Sequence, residues 1–387
     1  MEMVRTFHPI GQGGFYTEKF SEDGKRTYTV AYDVGSKTLS VLKKEIKAVG
    51  KVDVVVLSHL HDDHVNGIET LYKNNKGLKI VIPILNSEEM LETALYNALF
   101  SKKIFYDKNT LCSIYKKIQK QNIVEVAKSS LSVPEIFEDI ENVNGAIQDT
   151  ILQYKNWNYI LYNPDSRYGN RIINAITKSN DVEIQAIWDK NKKTIDESAL
   201  NKVLTTKSKI AILKKIYEAV CRTGNNYSMS LYSGPAEDSV ISNYVKISGL
   251  VSYPWLFPII GIRSLQRNLI QLCKAEIGHC LYLGDLEVAD TTICAKLINF
   301  YGTTYWDKIS MIQEPHHGSE NGYNPLLQKM YDQQTPMTRL FVISVGLTNT
   351  YGHPSVQVIN NIYANEGLLS IQTEKSTPLV FKYEFNC

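Results

Sequence analysis

Three histidines and an aspartate follow one another closely at the end of a short apolar run. The run is 54–57, and His59, His61, Asp63 and His64 come directly after it. A buried strand ending here would deliver these side chains to the edge of a sheet, where a turn can direct several of them at one point. Imidazole nitrogens and carboxylate oxygens at this density are typical ligands of zinc, manganese or iron. The chain has only eight histidines, so three in one loop favour a metal site over an ordinary polar loop.

Further histidines and carboxylates stand beside glycine turns elsewhere in the chain. Asp285 follows an apolar strand, and a carboxylate can bridge two cations with its two oxygens. His316 and His317 supply two more imidazoles before Gly318, and His353 supplies a third. Asp33 closes an early strand near a glycine, and we expect it to orient a ligand rather than to bind metal itself.

The elements that position these side chains alternate in type. The predicted strands are 4–7, 15–20, 26–33, 52–57, 78–84, 228–232, 280–283, 339–345 and one or more from 369 onward. The predicted helices around them are 36–49, 66–73, 290–299 and 356–365. Asp23-Gly24 is typical of a hairpin turn between two of the early strands.

The pattern H-x-H-x-D-H at 59–64 resembles the signature of the metallo-β-lactamase superfamily, whose members are mostly metal-dependent hydrolases. The order of all motifs resembles one branch, the hydrolase domain attached to ComEC-type DNA-uptake proteins and its stand-alone relatives. The other motifs that carry the resemblance are Gly11-Gln12-Gly13, Asp33-Val34-Gly35, Asn225-Asn226-Tyr227-Ser228, Gly284-Asp285, Pro315-His316-His317-Gly318-Ser319, Ser344-Val345-Gly346 and Tyr351-Gly352-His353-Pro354. They cover both ends of the chain and leave its middle unmatched.

The resemblance implies an α/β fold, the αββα metallo-β-lactamase sandwich, with metals at one edge. We assign 1–86 and 225–387 to this hydrolase domain. In 87–224, apolar residues such as Leu91 and Leu95 recur at helical spacing, which predicts a large, mostly helical insertion or cap. Its lysines form either a solvated face or a surface that follows phosphates. The densest of them are Lys192-Lys193, Lys207, Lys209 and Lys214-Lys215.

The resemblance also implies two divalent cations, Zn²⁺ or Mn²⁺, although a single ion is possible. The expected ligands of the first ion are His59, His61 and Asp285, and those of the second are Asp63, His64, Asp285 and His317. Catalysis is expected to depend on Asp63, His317 and His353. Many members of the superfamily have a further histidine before the bridging aspartate. This chain has none between His64 and His279, a gap that the ComEC-type branch tends to share.

The late histidines leave a choice open. We select His317 as the ligand because it directly precedes a Gly-Ser turn, while His316 and His353 remain alternatives. The ones that do not bind metal would lie near the substrate and could hydrogen-bond a phosphate or protonate a leaving oxygen. Ser319 and Asn349 lie in turns next to these histidines and could contact phosphate oxygens.

The implied activity is metal-dependent hydrolysis of phosphodiesters, with nucleic acid as the first choice of substrate. The alternative is a small-molecule metallo-hydrolase of a cyclic nucleotide, phosphoester or thioester, with the middle region as a lid. A third reading is a partner-regulated or non-catalytic subunit of a defence or signalling assembly. Its protein partner would then bind through the middle region.

Composition constrains the partners. The chain has 387 residues and a net charge of +2, so no global field attracts a polyanion and any nucleic-acid contact must be a local patch. No signal peptide and no bilayer-spanning run is expected, hence no membrane partner. The six cysteines form no C-x-x-C pair. We therefore expect reduced thiols and a cytoplasmic location.

Overall fold

Two large β-sheets pack face to face, and helices cover both outer faces. The computed structural model describes residues 1–130, 132–165, 170–221, 227–236, 241–248, 278–331 and 338–385, with the backbone alone at 241–248 and 385. Asn225 and Asn226, quoted above in one motif, lie outside these ranges. The layers follow the order helix, sheet, sheet, helix, so the predicted αββα sandwich is confirmed.

The strands within the described ranges are numbered in chain order. They are β1 Glu2–Phe7, β2 Gly13–Glu22, β3 Lys25–Ser36, β4 Val54–Val56, β5 Lys79–Pro83, β6 Ile123–Val126, β7 Ile136–Asp139, β8 Ala146–Ile147, β9 Thr150–Tyr154, β10 Trp157–Tyr162, β11 Trp188–Asp189, β12 Thr194–Ile195, β13 Ser230–Pro235, β14 Ile241–Ser248, β15 Cys280–Tyr282, β16 Met311–Gln313, β17 Leu340–Ser344, β18 Leu368–Gln372 and β19 Leu379–Phe385.

The α-helices are numbered in the same way. They are α1 Leu39–Val49, α2 Asp62–Val65, α3 Ile68–Asn74, α4 Ser87–Tyr96, α5 Lys108–Ile114, α6 Arg171–Thr177, α7 Val182–Gln185, α8 Glu197–Leu204, α9 Lys207–Val220, α10 Thr291–Trp306 and α11 Val356–Ala364. A π-helical turn, Asn97–Ser101, continues α4, and 3₁₀ turns occupy Lys120–Asn122, Pro315–Gly318, Glu320–Gly322 and Pro325–Gln328. No helix in the described part of the chain has the length and apolar character needed to cross a bilayer.

The strand order explains why the motifs meet. The first sheet runs β14-β19-β1-β2-β3-β4-β5-β6-β8 and the second β18-β17-β16-β15-β13-β10-β9-β7. β3 to β6 are mutually parallel, and so are β15 to β18. Parallel strands end at one edge of their sheet. The predicted metal residues follow β4, β15, β16 and β17, and Asp33 lies near the end of β3, so both sheets deliver them to the same edge.

Three apolar layers hold the sandwich together. Phe7, Tyr16 and Tyr282 pack between the two sheets, with the Tyr16 and Tyr282 ring centroids 5.6 Å apart. α1 and α3 cover the outer face of the first sheet, while α10 and α11 cover that of the second. Strands buried on both faces read as continuous apolar runs, as 54–57 does.

A buried ion pair on the first sheet receives hydrogen bonds from the second sheet. Arg5 Nε donates to Glu18 Oε1 at 2.7 Å, and both side chains are buried. Tyr282 donates to the same oxygen at 3.0 Å, and Tyr159 and Ser233 donate to Oε2 at 3.0 and 2.6 Å. The Glu18 carboxylate therefore has four donors, which offset the desolvation cost that a buried charge otherwise carries.

The early strands match their prediction closely. The hairpin turn at Asp23-Gly24 is confirmed by the pairing of Glu22 with Lys25. The helix predicted from residue 36 begins later, at Leu39, because Ser36 still belongs to β3 and pairs with Gly13.

The stretch 87–224 contains two kinds of structure and differs from the mostly helical insertion that we predicted. α4 and α6 to α9 pack around an apolar cluster of their own, which includes Leu95, Ile176 and Leu213. Residues 123–162, however, form β6 to β10, which belong to the two large sheets. Short apolar strands such as β10 cannot be told from helical segments by periodicity alone, so the sequence does not distinguish them from the helices around them.

Candidate metal centre

The first motif lies directly on the backbone of the first sheet. His59 follows β4, and α2 carries Asp63 and His64. A Cβ atom at Gly35 would stand 2.2 Å from the carbonyl oxygen of Asp63, and one at Gly13 would stand 2.9 Å from it. Only glycine permits this approach, because real Cβ contacts are never so short. Gly13 and Gly35 thus allow the backbone of α2 to pack directly on β2 and β3.

Two groups of side chains offer metal ligands at this edge. One group is His59, His64 and Asp285, and the other is Asp63, His64 and His317; within each, the ligand atoms lie within 4.8 Å of one another. All five residues are buried. His64 Nε2 lies 3.2 Å from Asp285 Oδ1, and His317 Nε2 lies 3.9 Å from the same oxygen. Loops more than 200 residues apart in the chain thus converge on one point.

Each of the three imidazoles is held through its Nδ1 atom. His64 Nδ1 lies 2.7 Å from Asp33 Oδ2, and His317 Nδ1 lies 2.9 Å from the carbonyl oxygen of Ser344. His59 Nδ1 contacts the hydroxyls of Ser58 and Ser228 at 2.9 and 3.0 Å. A fixed Nδ1 leaves Nε2 to face the centre, and metal-binding histidines are usually held in this way.

The chemistry of the donors fits a divalent cation. The Nε2 atoms of His59 and His317 are buried and make no hydrogen bond within the described ranges. Unsatisfied buried polar atoms are costly unless something binds them. Nitrogen and carboxylate oxygen in these groups suit zinc and manganese. His59, Asp63, His64, Asp285 and His317 can therefore hold a metal.

The ionisable side chains of the centre shift one another's pKa. Burial disfavours the imidazolium of His64, but the carboxylates of Asp285 and Asp33 outweigh burial and raise its pKa well above the usual range. Burial likewise opposes ionisation of Asp63, yet the charges of Lys37 and His64 prevail and lower its pKa to about 2. Both carboxylates that line the centre, Asp63 and Asp285, are consequently ionised at neutral pH.

His61 lies beside these groups without joining either of them. Its Nε2 lies 3.3 Å from the hydroxyl of Tyr227, and its ring stacks on Tyr96 with a centroid distance of 3.7 Å. The assignment of His61 to the first cation therefore stays a prediction. The aromatic neighbours hold His61, and His64 occupies the place beside His59 and Asp285.

The turn that carries the late histidines has an unusual backbone. His316 and His317 have φ values of 48° and 57°, in the left-handed region that most side chains avoid, and Gly318 follows at 75°. Asp33 is also left-handed, with φ at 54°. Each such non-glycine residue costs about 1–3 kcal/mol, a strain that tends to occur at functional sites.

The remaining predicted residues lie around the centre in different roles. His316, Ser319 and His353 line the adjoining pocket, and burial lowers the pKa of His353 to about 4, so its imidazole is neutral at pH 7. The Ser319 hydroxyl is buried and has no hydrogen-bond partner among described residues. The Asn349 amide holds the backbone at Gly346 and His353 with bonds of 2.8 to 3.0 Å, and its contact with phosphate stays a prediction.

Sequence reasoning missed two residues that hold Asp63. Lys37 Nζ lies 3.2 Å from Asp63 Oδ2, and the Tyr96 hydroxyl donates to Oδ1 at 3.3 Å. Lys37 stands two positions after the Asp33-Val34-Gly35 motif, which was the only available signal for it. Tyr96 sits at the end of α4 and carried no signal, because only the fold brings α4 to the metal loop.

A pocket of about 520 Å³ opens beside the centre. His61, Asp63, Asp285 and His317 line it together with residues of α4, the π turn and α9. Of the predicted lysine surface, Lys214 reaches this pocket. Lys192 and Lys209 instead pair with Asp189 and Glu183 on the helical layer.

The chain was also compared with known proteins. No family model and no curated protein matches it. YhfI from Bacillus subtilis, a metallo-β-lactamase fold protein, is 10% identical over 99% of this chain and 100% of its own, with a TM-score of 0.40. Zinc-bound PqqB from Methylobacterium extorquens is 8% identical over 98% of this chain and 99% of its own, with a TM-score of 0.35.

A third solved structure matches over a shorter range. It is MEM-A1, a subclass B3 metallo-β-lactamase isolated from a soil metagenome library, and it is 13% identical over 41% of this chain, with a TM-score of 0.24. The matched part spans half the length of MEM-A1.

Proposed function

We propose that this chain is a metal-dependent phosphodiesterase that acts on nucleic acid, and that it belongs to the ComEC-type branch that its motif order resembles. The observation that carries the proposal is the convergence of three anchored imidazoles and two ionised carboxylates at one edge of the sandwich. Such a set serves hydrolysis, because it binds cations and leaves room for substrate in the pocket beside it.

The ligands divide between two proposed cations. One ligand group contains His59 and Asp285, the other Asp63 and His317, and His64 belongs to both. The Nδ1 atom of His64 is held by Asp33, so its Nε2 would bind one cation only, while the two oxygens of Asp285 would bridge the pair. Zinc or manganese held here would lower the pKa of a water molecule and neutralise charge that develops on a phosphate. We retain His61 as a candidate ligand of the first cation.

The chain's own residues would orient and bind the substrate. Lys37 and Tyr96 keep the Asp63 carboxylate in place. Ser319 and His353 face the pocket and are positioned to hydrogen-bond phosphate oxygens. Lys37 and Lys214 add positive charge at the pocket, which favours an anionic substrate over a neutral one.

Metal content and activity of the isolated chain test this proposal together. We expect up to two zinc or manganese ions per chain by mass spectrometry. We also expect cleavage of an abasic oligonucleotide, which presents phosphodiesters alone, that is abolished by a chelator and restored by added metal. An intact, metal-loaded chain that cleaves no phosphodiester would overturn the proposal.

A small-molecule hydrolase remains the second candidate, and the size of the pocket favours it. About 520 Å³ falls within the range of pockets that bind small ligands. α4 and α9 would then act as a lid over the centre. Rates on cyclic nucleotides, phosphomonoesters and thioesters, measured beside those on oligonucleotides, separate the two candidates.

A further inference from the structure

Beside the metal centre, the pocket has an aromatic lining. Tyr96 at the end of α4, Phe100 in the π turn and Tyr217 on α9 all line it. The ring centroids of Tyr96 and Phe100 are 5.0 Å apart, and those of Phe100 and Tyr217 are 5.9 Å apart. We call Tyr96, Phe100, Tyr217 and the neighbouring Lys214 the pocket wall.

Phe100 presents its ring to the pocket. Tyr217 is buried behind it, whereas 45% of the Phe100 surface is exposed. A single exposed apolar side chain needs no explanation. Here, however, the exposed ring packs on two other rings and lines the same pocket as the ionised groups of the centre. The neighbouring rings are inclined to it by 46° and 67°, so the exposed face of Phe100 itself is the flat surface on which a planar group can stack.

Positive charge stands next to this ring. Lys214 Nζ lies 5.5 Å from the Phe100 centroid, and Lys37 Nζ lies 5.8 Å from that of Tyr96. Lys214 is about half exposed and pairs with Glu218 at 3.7 Å, in a solvated pair of small strength, so its ammonium can turn to an anion in the pocket. Lys37 stays paired with Asp63 at 3.2 Å and adds positive charge from there.

We propose that the pocket binds a nucleotide, with its base stacked on Phe100 and a phosphate at Lys214. This deepens the proposed function and rests on it, since the scissile phosphate would lie at the metal centre. A phosphate ester without a base would need the lysines alone and would leave the ring unused. Every base has a π face, and stacking on an aromatic side chain contributes about 1–3 kcal/mol per base.

The shape of the site limits the source of that nucleotide. A pocket of about 520 Å³ takes a small ligand or the end of a strand. Bases inside a duplex are already stacked and paired, and extracting one costs a few kcal/mol. The ligand is accordingly a free di- or oligonucleotide or the terminus of a single strand, rather than an internal position of a duplex.

The test compares substrates that differ only in their bases. kcat/KM is measured for the metal-loaded full chain on a dinucleotide, a single-stranded decamer, the same decamer as a duplex and an abasic decamer. We expect Phe100→Ala to lower kcat/KM on the base-bearing single strands by roughly 5- to 150-fold, as the loss of one stacked base implies. The abasic decamer should be cleaved at an unchanged rate, and Phe100→Tyr should restore the loss.

Controls on the same chain separate stacking from general damage. Phe137 on β7 is an exposed phenylalanine that does not line the pocket, so Phe137→Ala should change nothing. Lys214→Ala should reduce the salt dependence of decamer binding by about 0.7 log units per decade. Lys215→Ala, on the same helix but not at the pocket, should leave it unchanged.

The outcomes distinguish this inference from the proposed function. Equal wild-type rates on base-bearing and abasic decamers, or an equal effect of Phe100→Ala on both, would overturn nucleotide stacking while leaving the phosphodiesterase intact. If no substrate is cleaved, binding of a phosphorothioate dinucleotide, measured by calorimetry, still tests the stacking. Phe100→Ala should weaken this binding, and equal affinity in wild type and variant would overturn the inference. The faster of the dinucleotide and the single strand identifies the source of the ligand.

Discussion

The metal centre and the pocket wall are built in opposite ways. The centre, here called the metal side, consists of His59, Asp63, His64, Asp285 and His317, all buried, and its three rings are held by hydrogen bonds at Nδ1. The pocket wall consists of side chains that pack on one another, and its outermost members, Phe100 and Lys214, are about half exposed.

This contrast separates two physical requirements. Ligand atoms must be placed to within a fraction of an ångström, and each of the three imidazoles is anchored at Nδ1 by a neighbour that is itself buried. Stacking and attraction of an anion tolerate small displacements, and a packed aromatic cluster on a helix serves for them. We therefore expect substitutions on the metal side to abolish hydrolysis and substitutions on the pocket wall to lower its rate only in part.

The sharpest test of the contrast is removal of a single ligand. Asp63→Ala or His64→Ala should lower the rate by more than about 100-fold, the upper end of the loss seen when a residue that merely supports a ligand is changed. The fold should survive, because α2 is a single turn at the sheet edge. Metal content, hydrolysis and thermal unfolding of both variants check this.

Asp62→Ala is the matched control for that experiment. Asp62 lies on the same turn of helix but pairs with Lys103 and belongs to neither ligand group. It should keep its metal and its rate. A wild-type rate in Asp63→Ala or His64→Ala at full metal occupancy would show that the ligands are assigned wrongly.

A smaller difference is expected within the late histidines. His317→Ala should lose metal, because its Nε2 is one of the converging ligand atoms. His353→Ala should keep metal and lose rate by about 100-fold or more, the usual share of a residue that binds or protonates a reacting oxygen. Metal stoichiometry and kcat, measured for both variants, test this assignment. Loss of metal in His353→Ala but not in His317→Ala would exchange the roles of the two residues.

The smallest effect should come from the helical layer behind the wall, as a dependence of stability on pH. Burial raises the pKa of Glu88, at the start of α4, to about 7, while its Oε1 accepts a hydrogen bond from the Ile172 amide at 2.6 Å. The folded state thus holds a proton that the unfolded chain has released above pH 4.5. Stability from this group is complete below that value and is lost as pH rises to about 7.

Glu88→Gln isolates this contribution, since glutamine cannot ionise and can still accept the Ile172 bond. Between pH 5 and pH 8 the wild type should lose roughly 1–2 kcal/mol more of its unfolding free energy than the variant does. Denaturant titrations at both pH values measure it. Glu135→Gln, at an exposed position, should leave the wild-type pH dependence in place, and identical curves for wild type and Glu88→Gln would refute the assignment.

Much of the fold and the centre could be predicted because their signals are local. His59 to His64 stand together in the chain, and Asp285 and His317 follow apolar strands whose ends share an edge. The wall could not be predicted in this way. Tyr96 and Phe100 belong to an ordinary helical pattern, and they meet the metal loop only because α4 follows β5, which is the immediate neighbour of β4.

The strands between 123 and 162 could not be predicted from the sequence for a different reason. Residues on both sides of them show helical spacing, and a short apolar run such as β10 fits a buried strand and a buried helix equally well. Long-range pairing decides between the two, since β10 gains hydrogen bonds from β9 and from β13, some 70 residues later. No window of local sequence contains that partner.

The ion pair of Arg5 and Glu18 has a consequence for how the chain assembles. The two residues face each other across β1 and β2, so they can pair as soon as the first hairpin forms. Tyr159, Ser233 and Tyr282 come from the opposite sheet. If a strand of that sheet paired with its neighbour one residue out of register, its hydroxyl would point to the other face of the sheet. The Glu18 carboxylate would then be buried without its full set of donors. The ion pair thus favours one alignment of the two sheets. The same alignment brings the loops after β4 and β15 to one edge of the sandwich.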